Sequence, residues 1–300
     1  MKRRDLFRIS TAMGLGAALP ALAQAGAPAA AGPALAGPLK PPAQGSIPVA
    51  FLLSDNAVVI DFGGPWEVFA NVSVPGRADG PVFQLYTVGA TEAPITAYGG
   101  MKIVPNYSIA NAPAPKVIVV PAQTVRDPAV LDWLRAASGT ADLTMSVCTG
   151  AFILAHAGLL DGKAAATYHG AFKEFAMKFP AVRLKRGARF VEEGNIATAG
   201  GLSSGIDLAL RVVERYFGRA VASSTAYTLE YQGQGWLDPA SNSIYARRRH
   251  STAQQPVCPV CEMEVEKSAA LSSVYRKQAY YFCMAEHKRL FDASPASFTG

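Results

Sequence analysis

Asp142-Leu-Thr-Met-Ser-Val-Cys148-Thr-Gly-Ala-Phe-Ile-Leu-Ala-His-Ala-Gly158 carries three signals in a row. Leu143 to Val147 is an apolar run of strand length, Gly150 relieves a sharp turn around Cys148, and the apolar run beyond it reads as a helix stopped by Gly158. Cys148 is thereby expected at a helix N-terminus, where unpaired backbone N–H groups and the positive end of the helix dipole favour a thiolate over a thiol. A thiolate is a nucleophile. Cysteine in an apolar window also serves as a plain packed residue; the strand-Cys-turn-helix context is what points to a reactive group.

Working outward, Pro48-Val-Ala-Phe-Leu-Leu53 and Lys116-Val-Ile-Val-Val-Pro121 are continuous apolar runs, the pattern of strands buried on both faces of a parallel sheet. Phe83 to Gly89 reads as another strand, and residues 93–110 as a short hairpin around Tyr98-Gly-Gly100. Asp127-Pro opens an amphipathic helix through Val130-Leu-Asp-Trp-Leu134. After the elbow come a strand at Lys163 to Thr167, a helix from Ala171 to Phe179, a strand at Asn195 to Ala199, and a Gly200-Gly-Leu-Ser-Ser-Gly turn into a long helix. Such alternation predicts an α/β fold, a doubly wound, mostly parallel sheet sandwiched by helices, with ligands at the carboxyl ends of the strands. The Gly200 run lacks both a Gly-Lys-Ser/Thr ending and the G-x-G-x-x-G register, which argues against a nucleotide site.

In Asp61-Phe-Gly-Gly-Pro-Trp-Glu-Val-Phe69 the two glycines are expected to make a turn, with Pro65 at the first helical position and Glu67 in the first turn. Asp61 by type is a turn or cap carboxylate. His156, inside the elbow helix, reads as a packing residue.

Half of the 300 residues are hydrophobic, enough for one sizeable core and a small second one. The net charge is +6, but Lys2, Arg3, Arg4 and Arg8 against Asp5 put half of it in the first 25 residues. What remains argues for no nucleic-acid partner. Residues 1–25 read as a secretion signal: a basic start, an apolar middle from Ile9 to Leu22, then Ala23-Gln-Ala25. The apolar part is too short and too Ala/Gly-rich to span a bilayer. A periplasmic or secreted protein without an integral membrane segment is expected once the signal is removed. Residues 26–46, rich in Ala, Pro and Gly, are expected to be a disordered lead-in, 47–237 the α/β domain and 238–255 an exposed linker with the basic run Arg247-Arg-Arg-His250.

Residues 256–300 form a different module. Cys258-Pro-Val-Cys261 and Cys283-Met-Ala-Glu-His287 offer two thiols two residues apart and a later Cys and His three apart, a set suited to Zn²⁺ or to copper. Cys258 and Cys261 could instead pair as a disulfide. A module this small needs one or the other to hold it.

The run from Ser146 to Gly162, with Ala166-Thr-Tyr-His169 after it, resembles the nucleophile elbow of the ThiJ/PfpI superfamily, which has the class I glutamine-amidotransferase-like fold. The branch holding isonitrile hydratases and the ligand-sensing modules of AraC-type regulators is most similar, over residues 47–237. That resemblance implies a small-molecule substrate or ligand, no cofactor in the α/β domain, a homodimer, and Cys148 as nucleophile. It implies that Asp61, in Val59-Ile-Asp61-Phe-Gly-Gly-Pro65, faces Cys148 as general acid/base, its pKa raised by partial desolvation. Gly64, Ala122, Gln123, Thr149 and His169 then line the site. Pro121-Ala-Gln123 stands where relatives carry Pro-Gly-Gly, which questions the oxyanion-binding geometry. Arg3-Arg4-Asp5-Leu6-Phe7-Arg8 resembles a twin-arginine signal. The tail resembles the metal-binding YHS domain, with His287 in place of a final Cys and Glu262 in place of a usual Gly. Together these imply a cysteine-dependent hydratase or hydrolase-like enzyme with a metal-binding tail, or a sensor that kept the fold without the chemistry.

Overall fold

Long runs of Val, Ile, Leu and Phe place four strands side by side at the centre of this protein. The computed structural model describes residues 35–77, 80–125, 127–246, 249, 251–252 and 254–299. The expected leader, residues 26–34, and Arg247, Arg248 and His250 of the basic run lie outside these. The described residues belong to one compact unit.

In chain order the elements are β1 (Ile47–Leu52), α1 (Val59–Ala70), β2 (Phe83–Gly89), β3 (Ile95–Thr96), β4 (Lys102–Ile103), β5 (Tyr107–Ser108), β6 (Val117–Val120), α2 (Pro128–Ser138), β7 (Leu143–Ser146) and α3 (Gly150–His156). There follow β8 (Ala164–Ala165), a 3₁₀ turn at His169–Ala171, α4 (Phe172–Lys178), β9 (Arg183–Leu184), β10 (Phe190–Glu193), β11 (Ile196–Ala199), α5 (Ser204–Phe217) and α6 (Arg219–Thr228). The tail holds β12 (Leu271–Tyr275), β13 (Gln278–Phe282) and α7 (Ala285–Ala293).

Among the described residues a seven-stranded sheet runs in the order β10-β11-β7-β6-β1-β2-β5. All neighbours are parallel except β10 and β11. This is the doubly wound, mostly parallel sheet that the sequence predicts. Every residue of β6 and β7 is buried, because helices cover both faces. The hairpin around Gly99 and Gly100 is present as β3 and β4. No described helix is long and apolar enough to cross a membrane.

Three expectations are corrected. Helix α1 begins at Val59, not Pro65, and runs through Gly63, Gly64 and Pro65. Asp61 therefore sits in its first turn, while Glu67 is exposed farther along. The glycines serve packing rather than a turn: a Cβ on Gly64 would lie 2.8 Å from Ile206 of α5. The lead-in is the second. Leu39 N–H donates to the Arg215 carbonyl at 2.8 Å, and Arg211 and Arg215 donate to the carbonyls of Ala36 and Gly37 at 2.7 and 2.9 Å. Glu192, buried between the two arginines, accepts from Ala36 N–H at 3.1 Å. Guanidinium groups bind backbone oxygens, and with the Leu39 side chain packed on the core they hold residues 36–39 in place. Third, the start of the linker is docked: Arg189 N–H donates to the Pro239 carbonyl at 2.7 Å, and the Arg189 guanidinium donates to Asn242 Oδ1 at 3.2 Å.

Candidate active site and metal centre

Cys148 lies two residues beyond the end of β7 and has φ +59°, a left-handed conformation that costs a non-glycine residue about 1–2 kcal/mol. The chain tolerates it because both sides are pinned. Cys148 N–H donates to the Gly200 carbonyl at 2.8 Å, and the Cys148 carbonyl accepts from the Thr167 hydroxyl at 2.9 Å. Two residues on, Gly150 is required by crowding rather than by its torsions. A Cβ there would overlap the Val120 carbonyl oxygen and come within 2.9 Å of that of Pro121.

Asp61 is fully buried. Its Oδ2 accepts from the Ala122 backbone N–H at 3.1 Å, and its Oδ1 has no hydrogen-bond partner among the described residues. Burial pushes its pKa up to about 6, although the Ala122 N–H and the Cys148 thiol both favour the carboxylate. Cys148 is itself 6% exposed, and its pKa is pushed up to about 11, first by burial and then by the charge of Asp61. The backbone N–H groups of Thr149 and Leu202 pull the other way and are outweighed. This corrects the expectation of a thiolate made by a helix terminus. Helix α3 has seven residues, Cys148 lies one residue outside its Thr149 N-cap, and a buried carboxylate is the stronger neighbour. With the thiol pushed up this far and the carboxyl group raised only to about 6, Asp61 gives up its proton well before Cys148 does.

The other residues named from the sequence divide. Ala122 spends its N–H on Asp61 and its carbonyl on Val58 N–H at 2.8 Å. Gln123 accepts from the Ser54 N–H at 2.6 Å and donates to the Leu52 carbonyl at 2.8 Å, which ties the loop after β6 to the end of β1. Neither has a positive φ, so this loop runs without the conformations that glycine would be needed for. Gln123 and Thr149 border a cavity of about 500 Å³ with Leu131, Phe152, His156 and Glu174; Cys148 and Asp61 do not line it. His169 is exposed, and its ring stacks on Tyr245 at 4.6 Å and 15°. Gly64 faces Ile206. Sequence reasoning missed Thr167 and the turn around Leu202, which is at φ +45°. The Gly-Gly pair ahead of Leu202 was the only signal for it.

A family profile described as DJ-1/PfpI matches residues 48–215, more than half of the chain. The chain belongs to the DJ-1/PfpI family. A relative named isonitrile hydratase, from Pseudomonas putida, is 31% identical over 226 residues, 74% of this chain and 94% of the relative. The HTH-type transcriptional regulator GbdR of Pseudomonas aeruginosa is 24% identical over 189 residues; they make up 61% of this chain but only 50% of the regulator. The crystal structure of a ThiJ/PfpI family protein from Pseudomonas syringae has a TM-score of 0.56 at 25% identity, covering 63% of this chain and 77% of that one.

Beyond the DJ-1/PfpI domain, the tail brings Cys258, Cys261, Cys283 and His287 together, their ligand atoms all within 4.8 Å of one another. The cysteines are free thiols, so Cys258 and Cys261 are not paired as a disulfide. Cys283 Sγ lies 3.2 Å from His287 Nδ1 and 3.4 Å from Cys261 Sγ, and Cys258 Sγ lies 3.7 Å from the same nitrogen. The Cys261 thiol beside Cys258 lowers the pKa of Cys258, while that of Cys261 rises. Three sulfurs and one imidazole nitrogen around a common point, all buried but the half-buried Cys283, fit a four-coordinate thiophilic ion. Such an ion would hold the two halves of the tail together where the small core of Phe282 and Phe291 is insufficient.

Glu262 has φ +60°, a left-handed conformation that glycine adopts more easily. It spends that strain on an ion pair with Arg186. The Arg186 guanidinium also lies 5.4 Å from the Phe172 ring and donates to the Val260 carbonyl at 3.5 Å. The tail is thus docked on α4 and on the loop after β9.

Proposed function

We propose that this chain is an exported, cysteine-dependent hydratase of small isonitrile-like electrophiles that works as a homodimer. The observation that carries the reading is the Cys148–Asp61 pair: a strained elbow cysteine coupled to a buried carboxyl group whose pKa, about 6, suits proton transfer near neutral pH. The isonitrile hydratase relative, matched over nearly its whole length, supplies the substrate class.

In the proposed reaction the Cys148 sulfur bonds to the terminal carbon of R–N≡C as its proton passes to Asp61, which returns it to that carbon. Water then adds to the thioimidate, the C–S bond breaks, and the sulfur regains a proton. The net change is isonitrile plus water to an N-substituted formamide. No oxidant or cofactor is consumed. Cys148→Ala and Asp61→Asn should each abolish formamide production from an alkyl isonitrile, read by mass spectrometry, with the circular dichroism spectrum unchanged.

A second reading has its own support. The Cys148 thiol is nearly buried and hard to ionise, and regulators such as GbdR share the domain. If the wild-type protein binds isonitriles or related ligands without turning them over, the sensor reading replaces the enzymatic one. Export rests on residues 1–25. Replacing Arg3 and Arg4 with Lys should leave the precursor in the cytoplasmic fraction.

A further inference from the structure

A buried ion pair that the chemistry above does not use lies behind the reactive cysteine. Asp207, in the first turn of α5, is fully buried, and its Oδ2 accepts from Arg189 Nε at 2.6 Å and from the Tyr231 hydroxyl at 3.0 Å. Burying a carboxylate is costly unless it is paired, and here Arg189 and the Tyr231 hydroxyl supply the partners.

What the pair surrounds is the turn against Cys148. The Gly200 N–H donates to the Arg189 carbonyl at 2.9 Å, and the Gly200 carbonyl accepts from Cys148 N–H at 2.8 Å. The other edge of the Arg189 guanidinium donates from Nη2 to the Ser203 hydroxyl at 3.1 Å and from Nη1 to Asn242 Oδ1 at 3.2 Å. The turn from Gly200 to Ser203 is therefore gripped at both ends by one residue. Between the grips Leu202 is held at φ +45°, a conformation that relaxes once the restraint goes. Gly235 lies against the pair, where a Cβ would come within 2.8 Å of both Asp207 Oδ2 and Arg189 Nε.

We propose that Arg189, anchored by Asp207, is a positioning residue for the Cys148 site: it holds the Gly200–Ser203 turn, whose Gly200 carbonyl fixes the Cys148 backbone, and so sets the surroundings of the sulfur. This inference deepens the reading of Cys148 as a reactive thiol. It concerns the turn that holds the Cys148 backbone; the Leu202 N–H, which favours the thiolate, belongs to that turn. It needs no assumption about the substrate.

The test is the pH profile of Cys148 alkylation by iodoacetamide in the full chain, followed by peptide mass spectrometry so that the tail thiols do not interfere. In Arg189→Gln the turn relaxes and the thiolate loses a charge-assisted hydrogen bond. Below its midpoint the alkylation rate should fall roughly tenfold and the midpoint should move upward. Ser203→Ala removes one grip at an exposed position and should move the profile the same way by less. It decides the matter if Arg189→Gln does not fold. Profiles that superpose on that of the wild type in every folded variant overturn the proposal. A shifted profile in a protein that hydrates no isonitrile supports the positioning role and removes only the enzymatic reading.

Discussion

Burial raises the pKa of both Asp61 and Cys148, and the direction of the Asp61 shift makes a stability prediction. The pKa of Asp61 is raised from 3.8 to about 6 by folding, so the native state binds more protons than the unfolded chain in that interval. The stabilisation is complete below about pH 4 and is lost as pH rises through 6, at a cost of about 3 kcal/mol by linkage. Asp61→Asn keeps an oxygen for the Ala122 N–H and removes the buried charge. Urea unfolding should find this variant more stable than the wild type by roughly 1–3 kcal/mol at pH 7.5 and equal to it near pH 4. A variant less stable at both pH values would mean that the carboxylate is not penalised by burial. The pairing of these two residues was legible only through resemblance, since they are 87 positions apart in the chain. The raised pKa of Asp61 is the one the resemblance implied, whereas the thiol form of Cys148 was not legible, because a motif shows where a thiol sits along the chain and says nothing of how much water reaches it.

At the scale of elements, the elbow is a steric construction. Strand β7 must end against the carbonyls that close β6, and only a residue without a side chain fits two positions beyond the cysteine. Gly150→Ala should therefore destabilise the domain by about 3 kcal/mol and suppress Cys148 alkylation, whereas an alanine at Gly99, which has open space around it, should act mainly through its φ of +83°. Thermal unfolding of the two variants, compared at equal pH, checks the ranking. Buried strands and the elbow were readable from the sequence because apolar runs and a turn glycine are local signals. The start of α1 was misread for a local reason too. Gly63, Gly64 and Pro65 all disfavour helix by propensity, and the close approach of α5 through Ile206 overrides that preference.

For the whole molecule, the question is whether the tail is carried passively or built in. Glu262→Gly restores the residue that its backbone torsion prefers, yet removes the carboxylate partner of Arg186. Hydrogen exchange should then rise in residues 172–186 and 256–265, with zinc affinity unchanged within about twofold, as read by competition with a chromophoric chelator. Unchanged exchange would show that the ion pair holds nothing. Removing metal with a chelator under reducing conditions should unprotect residues 258–291 while the seven-stranded sheet keeps its far-ultraviolet dichroism. Taken by itself, the sequence determined the α/β class, the parallel sheet, the elbow and the four-ligand tail, because each is written in periodicity or in close spacing along the chain. Only the tertiary structure decided that Cys148 rests as a thiol, that the lead-in is pinned by Arg211 and Arg215, and that Arg186 and Arg189 join distant segments. Burial, and the partners of a buried charge, depend on which parts of the chain come together, and no local pattern carries that information.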